Sequence, residues 1–273
     1  MGRRGEEKPM LKITNLKKTF NPGTINEKVA LDGLNLHLKE GDFVTVIGGN
    51  GAGKSTLLNA ICGVWKPDFG TVEIDGVDVS ELPEHKRAQY LGRVFQDPMK
   101  GTAPDMEIAE NLAIASKRGI RRRFVRGVRK ADREYYRELL KTLDLGLEDR
   151  LSTKVGLLSG GQRQAVTLLM ATMNKPKVLL LDEHTAALDP KTAAKVLEIT
   201  ERIVTENHLT TLMITHNMKD AITYGNRLIM MHNGHVVVDV EGEEKKMLTV
   251  EDLLALFVKA SGNVFSDDRS LLA

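Results

Sequence analysis

The sequence predicts an α/β domain: a parallel sheet covered by helices, an antiparallel β layer at the front and a helical insert in the middle. Three observations predict it. Phe43 to Ile47 and Val178 to Leu181 are short unbroken apolar runs, the texture of strands buried on both faces. Leu11 to Phe20, and then Leu34, Leu36 and Leu38, alternate with period two, as half-exposed strands do. Between Pro104 and Gly156 the strand patterns vanish and helix formers dominate.

Taken in order, the alternating segments open the antiparallel layer. Val72, Ile74, Val77 and Val79 about Asp75-Gly76 read as a hairpin in the same layer. The buried run Phe43 to Ile47 leads through a glycine-rich turn into a helix over Lys54 to Val64. Ile108 to Ser116 and Ala131 to Leu143 are the helices of the insert, which is expected over about 100–165. After Val178 to Leu181, the β-branched run Thr210 to Ile214 is a further buried strand, ending in the polar turn His216-Asn217. Leu228 to Met231 and Val236 to Val238 flank Asn233-Gly234 as a second hairpin, and Val250 to Ala260 reads as a helix. One domain is expected over 10–260. Residues 1–9 are expected to be a disordered tail or an expression remnant, and 261–273 a loose tail.

Composition narrows the function class. Charged residues make up 28% of the 273, but 39 basic residues against 37 acidic leave a net charge of +2. That gives the whole molecule no reason to bind a polyanion, and no nucleic acid partner is expected. A single cysteine, Cys62, excludes a disulfide framework and suits a reducing compartment. It reads as a small core residue of the helix after the glycine-rich turn. No apolar run approaches the roughly 18 to 20 residues that span a bilayer, and the charged start Met1 to Lys8 lacks the apolar stretch of a secretory signal. The expectation is a soluble intracellular protein that reaches a membrane only through a partner.

The chemistry concentrates in Gly48-Gly49-Asn50-Gly51-Ala52-Gly53-Lys54-Ser55, followed by Thr56. This is the pattern G-x-x-x-x-G-K-[ST] between an expected strand and an expected helix, the context that identifies a phosphate-binding P-loop. Glycines at Gly48, Gly51 and Gly53 let the backbone curl so that successive N–H groups, including those of Asn50 and Ala52, point at phosphate oxygens. The helix that follows offers the same anion its positive end. Lys54 can reach the β- and γ-phosphates, and the Ser55 hydroxyl is placed to ligate Mg²⁺. The strand Val178 to Leu181 ends in Asp182-Glu183. Strand ends of a parallel sheet meet the ligand crevice, so Asp182 is a candidate for Mg²⁺ and Glu183 for orienting or deprotonating the attacking water. His216 lies at another strand end, either near the γ-phosphate and Glu183 or as a surface histidine. Gln96, in Phe95-Gln96-Asp97-Pro98, is either an amide that reaches Mg²⁺ or its water, or a turn residue.

Leu158-Ser159-Gly160-Gly161-Gln162-Arg163-Gln164 resembles the LSGGQ signature of the ABC-type ATPases, and it lies just upstream of the Asp182 strand, as in that family. From Leu11 to Val240 the chain resembles the nucleotide-binding subunit of ABC transporters, most closely those of bacterial solute importers. The resemblance implies a P-loop NTPase fold, with a RecA-like parallel sheet, the antiparallel layer and a helical subdomain carrying the signature. It implies ATP and Mg²⁺ as ligands, Gln96 as the Q-loop glutamine, Asp189 as the D-loop aspartate, His216 as the switch histidine and Phe20 as the aromatic that stacks on adenine. It also implies a head-to-tail homodimer, in which Ser159, Gly160, Gly161, Gln162 and Asp189 of one chain meet ATP on the P-loop of the other. Ser159 opening a helix agrees with this, because its hydroxyl and the following N–H groups make a second anion site. One departure is His184, where the family usually has proline after the Asp-Glu pair; the position is not catalytic.

The expected partners are a second copy, integral membrane permease subunits and a substrate-binding protein, at the inner face of the cell membrane. Import of a small solute is the leading reading, and the chain resembles ATPases of importers of amino acids such as tryptophan or tyrosine. An exporter of lipid or drug is the alternative. A soluble ABC-type ATPase acting on nucleic acid or ribosomes usually carries two ATPase domains, a long coiled coil or zinc-binding cysteines, and none of these is in this sequence. Lys117 to Arg133 carries nine basic residues against Asp132 alone. Arg122, Arg126, Arg129 and Arg133 are spaced to share one helix face, either solvated or touching lipid head groups or an acidic permease surface.

Overall fold

A computed structural model describes residues 8–119 and 127–261. The expectations for 1–7, 120–126 and 262–273 lie outside the described residues.

Two sheets carry the domain. Strands β1 (Leu11–Phe20), β2 (Lys28–Leu38), β4 (Phe69–Ile74) and β5 (Val77–Asp78) form the antiparallel layer in the order β2-β1-β4-β5. The larger sheet, in the order β10-β9-β3-β8-β7-β6, uses β3 (Phe43–Ile47), β6 (Leu91–Val94), β7 (Val178–Asp182), β8 (Thr210–Ile214), β9 (Arg227–His232) and β10 (His235–Glu241). All its neighbours pair parallel except the hairpin β9–β10. The helices are α1 (Lys54–Cys62), α2 (Glu84–Arg87), α3 (Ile108–Ser116), α4 (Lys130–Lys141), α5 (Gly160–Thr172), α6 (Pro190–Glu206), α7 (Met218–Thr223), α8 (Gly242–Met247) and α9 (Val250–Ser261).

The unbroken apolar strands are what bury the large sheet. Their residues alternate between faces. Val44, Val46, Val178, Leu180, Leu212 and Ile214 enter the core shared with the antiparallel layer and α1. Phe43, Leu179, Leu181 and Met213 enter the core under α3, α4, α5 and α6. A third core joins Ile47, Leu228 and Met230 to α7 and α9. Helix α5 is buried on nearly every side from Gln164 to Thr172, so it is the central post of the helical part rather than a surface helix.

The described end of the basic stripe, Arg129 and Arg133, is not built as the spacing predicts. Helix α4 begins at Lys130, with Arg129 as its extended N-cap at φ −98° and ψ 167°, so Arg129 does not share a helical face with Arg133; Arg122 and Arg126 lie outside the described residues. Arg129 folds onto Asp132, its Nη2 3.1 Å from Oδ1, and Arg133 Nη2 donates to Glu107 Oε2 at 2.9 Å. The cap at Arg129, whose N–H donates to Asp132 Oδ2 at 2.8 Å, satisfies this carboxylate locally and competes with extending the helix backwards. Cys62 is buried, and burial pushes its thiol up to about 11, which leaves no thiolate near neutral pH.

Candidate functional site

The P-loop turns between β3 and α1. Gly48 sits at φ 151° and Gly53 at φ 102°, and a Cβ on Gly48 would lie 2.3 Å from the Met231 carbonyl oxygen. Only glycine fits this approach of backbone to backbone. The Lys54 ammonium donates to the carbonyls of Gly48 at 2.5 Å and Gly49 at 3.1 Å, so the loop holds its own lysine across its mouth. Ser55 is exposed at the first turn of α1, and Thr56 is partly buried beside it.

The loop opens into a cleft of about 430 Å³ lined by Phe20, Lys28, Ala30, Asn50 to Thr56, Glu183 and His216. The cleft thus gathers residues from β1, β2, α1 and the ends of β7 and β8. Glu183 is in the left-handed region at φ 48°, an uncommon conformation for a residue with a Cβ. Its N–H still donates to Ile214 O at 3.1 Å, which extends the β7–β8 ladder by one bond and fixes the turn. His216 Nε2 stands 2.5 Å from Glu183 Oε1. An ionised carboxylate only accepts, so the ring carries its proton on Nε2 in this pair. The backbone around His216 is held on both sides: Thr215 N–H donates to Val46 O at 3.1 Å, and Asn217 caps α7 by accepting from Lys219 N and Asp220 N.

At the far end of the cleft Phe20 stands edge-on to Trp65, with ring centroids 5.3 Å apart and planes at 82°. Asp68 secures that strand end. Burial is the largest single influence on its carboxyl and pushes it up, but the bonds that Oδ1 accepts from Lys18 Nζ at 2.8 Å and Oδ2 from Thr19 N at 2.6 Å, with the Lys18 charge, together outweigh it and hold the carboxyl below the usual range.

Asp182 and Gln96 face a neighbouring cleft of about 740 Å³, together with Asn59, Arg93, Phe95 and Lys100. Asp182 Oδ2 accepts from Arg93 Nη2 at 3.2 Å. Burial pushes its carboxyl above the usual range, while Arg93 pulls it back. The structure thus brings Glu183 and His216 to the P-loop cleft and leaves Asp182 and Gln96 one wall away.

The signature residues line neither cleft. Ser159 and Gly160 are exposed at the start of α5, where Ser159 and Gln162 form a capping box. Gly160 and Gly161 pack against the start of α6, where an added Cβ would meet Leu188 Cδ2 at 3.1 Å and Thr192 Cγ2 at 2.2 Å. Asp189 caps α6 through Thr192 N at 3.1 Å and is exposed.

Sequence reasoning did not find Lys28, Trp65, Arg93 or Gly234. The hairpin turn at Gly234 is wedged against the P-loop: Gly234 N–H donates to Ala52 O at 3.0 Å, and Asp32 N–H donates back to Gly234 O at 3.3 Å. A turn signal was visible at Asn233-Gly234, but nothing local says what the turn packs on.

The sequence profile of the ABC transporter family matches residues 31–186. The chain is 47% identical over 253 residues to a tyrosine transport ATP-binding protein of Clostridioides difficile, covering 91% of this chain and 98% of that one. It is 32% identical to a spermidine/putrescine import ATP-binding protein of Haemophilus influenzae over 93% of this chain, spanning 62% of that protein's length. Among solved structures, a dimeric ATP-binding cassette in a post-hydrolysis state with ADP and Pi superposes with a TM-score of 0.72 at 32% identity, over 85% of this chain and 98% of that one. A nucleotide-free cassette from an ABC transporter reaches a TM-score of 0.77 at 26% identity, over 95% of this chain and 100% of the other. The chain belongs to the ABC transporter family, as one of its ATP-binding and ATP-hydrolysing subunits.

Proposed function

We infer that this subunit drives import of an amino acid, with tyrosine the first candidate, by closing and opening as a head-to-tail dimer beneath membrane permease subunits. The observation that carries the catalytic reading is the Glu183–His216 pair facing the P-loop within one cleft. Phe20 stacks on the adenine, the P-loop amides and Lys54 hold the phosphates, and Glu183 orients the attacking water and takes its proton. His216 fixes the Glu183 carboxylate through its Nε2–H. Ser55 lines the P-loop cleft and Gln96 and Asp182 the neighbouring one, and their hydroxyl, amide and carboxylate oxygens are the donor types that would suit a hard cation such as Mg²⁺. The cation would supply charge neutralisation at the phosphates. Ser159, Gly160, Gly161, Gln162 and Asp189 serve ATP on the opposite chain, a role supported by the exposure of Ser159, Gly160 and Asp189 and by the absence of all five from their own chain's cleft. Among the described residues no helix is long and apolar enough to cross a membrane, which fits a subunit that borrows its pathway from a permease.

The substrate rests on the 47% identity to a tyrosine transport ATP-binding protein over nearly the whole of both chains. A substrate-binding protein then delivers the amino acid from outside. Uptake of radiolabelled tyrosine should fall to background when the gene is deleted. It should return with the wild-type chain and not with Lys54→Ala. Unchanged tyrosine uptake in the deletion strain would remove the substrate assignment and leave the ATPase reading intact.

A further inference from the structure

Arg93 is a cation that none of the phosphate motifs requires. It lies on β6, with its side chain only 15% exposed. Its Nη2 donates to Asn59 Oδ1 at 3.0 Å and to Asp182 Oδ2 at 3.2 Å. The guanidinium lies over the Phe95 ring, 4.5 Å from its centroid, and its buried Nε makes no hydrogen bond. Helix α1, strand β7 and the end of β6 therefore clamp one planar group against the carboxylate assigned to the metal. Glu84, Asp97 and Lys100 are the other charged residues lining this cleft.

A carboxylate that helps hold a cation needs its oxygens free. Here one oxygen is engaged by a guanidinium, and the same charge repels an incoming dication with little screening, because both partners are mostly buried. Arg93 also has somewhere to go: Asn59 and the Phe95 face can keep it when Asp182 turns away. We propose that Arg93 is a positioning residue that occupies Asp182 until a divalent cation arrives with nucleotide, and so sets how strongly Mg²⁺ tightens nucleotide binding. This rests on the reading of Asp182 as part of the metal-holding set.

The test is the affinity for radiolabelled ADP, measured by equilibrium dialysis in EDTA and in excess Mg²⁺. By linkage, the ratio of the two affinities reports the metal's contribution. Arg93→Met should enlarge that ratio by about tenfold, with the EDTA affinity unchanged, because a repelling charge is gone and Arg93 does not touch the P-loop. Arg93→Lys keeps the charge and should stay near wild type. Asn59→Ala removes the alternative anchor, so Arg93 holds Asp182 harder and the ratio should shrink. This second variant decides the matter if Arg93→Met fails to fold. A folded Arg93→Met with an equal or smaller ratio, or Asn59→Ala with an unchanged one, overturns the proposal. Asp182→Asn separates the two claims. If it leaves the Mg²⁺ effect intact, the metal reading fails and the proposal with it. If it abolishes the effect while Arg93→Met does not enlarge it, only the proposal fails.

Discussion

Glu183 is held from three directions: a left-handed backbone, an N–H bonded to Ile214 and a carboxylate on His216. Glu183→Gln keeps that shape and removes the proposed base. It should slow phosphate release by about 100-fold or more while ATP stays bound, which single-turnover phosphate release and a bound-nucleotide assay check together. The next residue, His184, behaves in the opposite way. It is fully enclosed, with Nε2 3.0 Å from Thr200 Oγ1, and Thr200 already donates its proton to Val196 O at 2.8 Å, so His184 is the donor. Burial lowers its pKa from 6.5 to about 4. Between those values the unfolded chain binds a proton that the folded chain does not. Stability is therefore undiminished by this residue above pH 6.5 and falls as pH drops from 6.5 towards 4, by about 2–3 kcal/mol. Urea unfolding at pH 7.5 and 4.5 should show that loss in the wild type and a smaller one in His184→Gln. The contiguous chemistry, Gly48 to Ser55, was legible because eight neighbouring residues carry it. Arg93 was not, because its partners Asn59 and Asp182 lie 34 and 89 residues away.

Among the elements, the strands were the most legible. Double-sided burial writes itself as a short apolar or β-branched run without charges, and β3, β7 and β8 lie where those runs are. Helix ends were less so: α1 stops at Cys62 because Gly63 takes the left-handed cap at φ 81°, while the apolar pattern runs on to Val64. The hairpin β9–β10 was readable as a hairpin, yet its role as a brace under the P-loop was not. Gly234 combines φ 78° with backbone atoms of Ala30 and Leu31 at 2.9 Å from any added Cβ. Gly234→Ala should cost about 1–2 kcal/mol for the left-handed backbone alone and more from the overlap. Because Gly234 N–H bonds Ala52 O, ATP affinity should fall as well. Urea midpoints and ATP binding check both, and a variant with lost stability but normal affinity would limit the hairpin to packing.

At the scale of the whole molecule, the P-loop and the signature end of α5 do not share a cleft. The P-loop faces Phe20, Glu183 and His216, whereas Ser159 and Gly160 are exposed at the start of α5. In the proposed head-to-tail pairing a second copy would bring one chain's serine to the other chain's phosphates, so that ATP would join the subunits and its hydrolysis would free them. The signature motif was legible, but which chain it serves is a property of the assembly. The most direct measurement is therefore complementation between two inactive proteins. Lys54→Ala and Ser159→Arg should each disable both sites of their own homodimer. In a mixed dimer both lesions fall in one site, and the other site has an intact Lys54 and an intact Ser159 from opposite chains. Steady-state phosphate release should be near background for each variant alone and should recover on mixing, with exchange verified by a tag. A covalently linked dimer carrying both lesions in one chain and none in the other is the control. Shared sites leave that dimer with a lesion in each site, so it should be inactive. Confirmed exchange with no recovery, together with activity in the linked dimer, would contradict the shared site and place the whole ATPase within one chain.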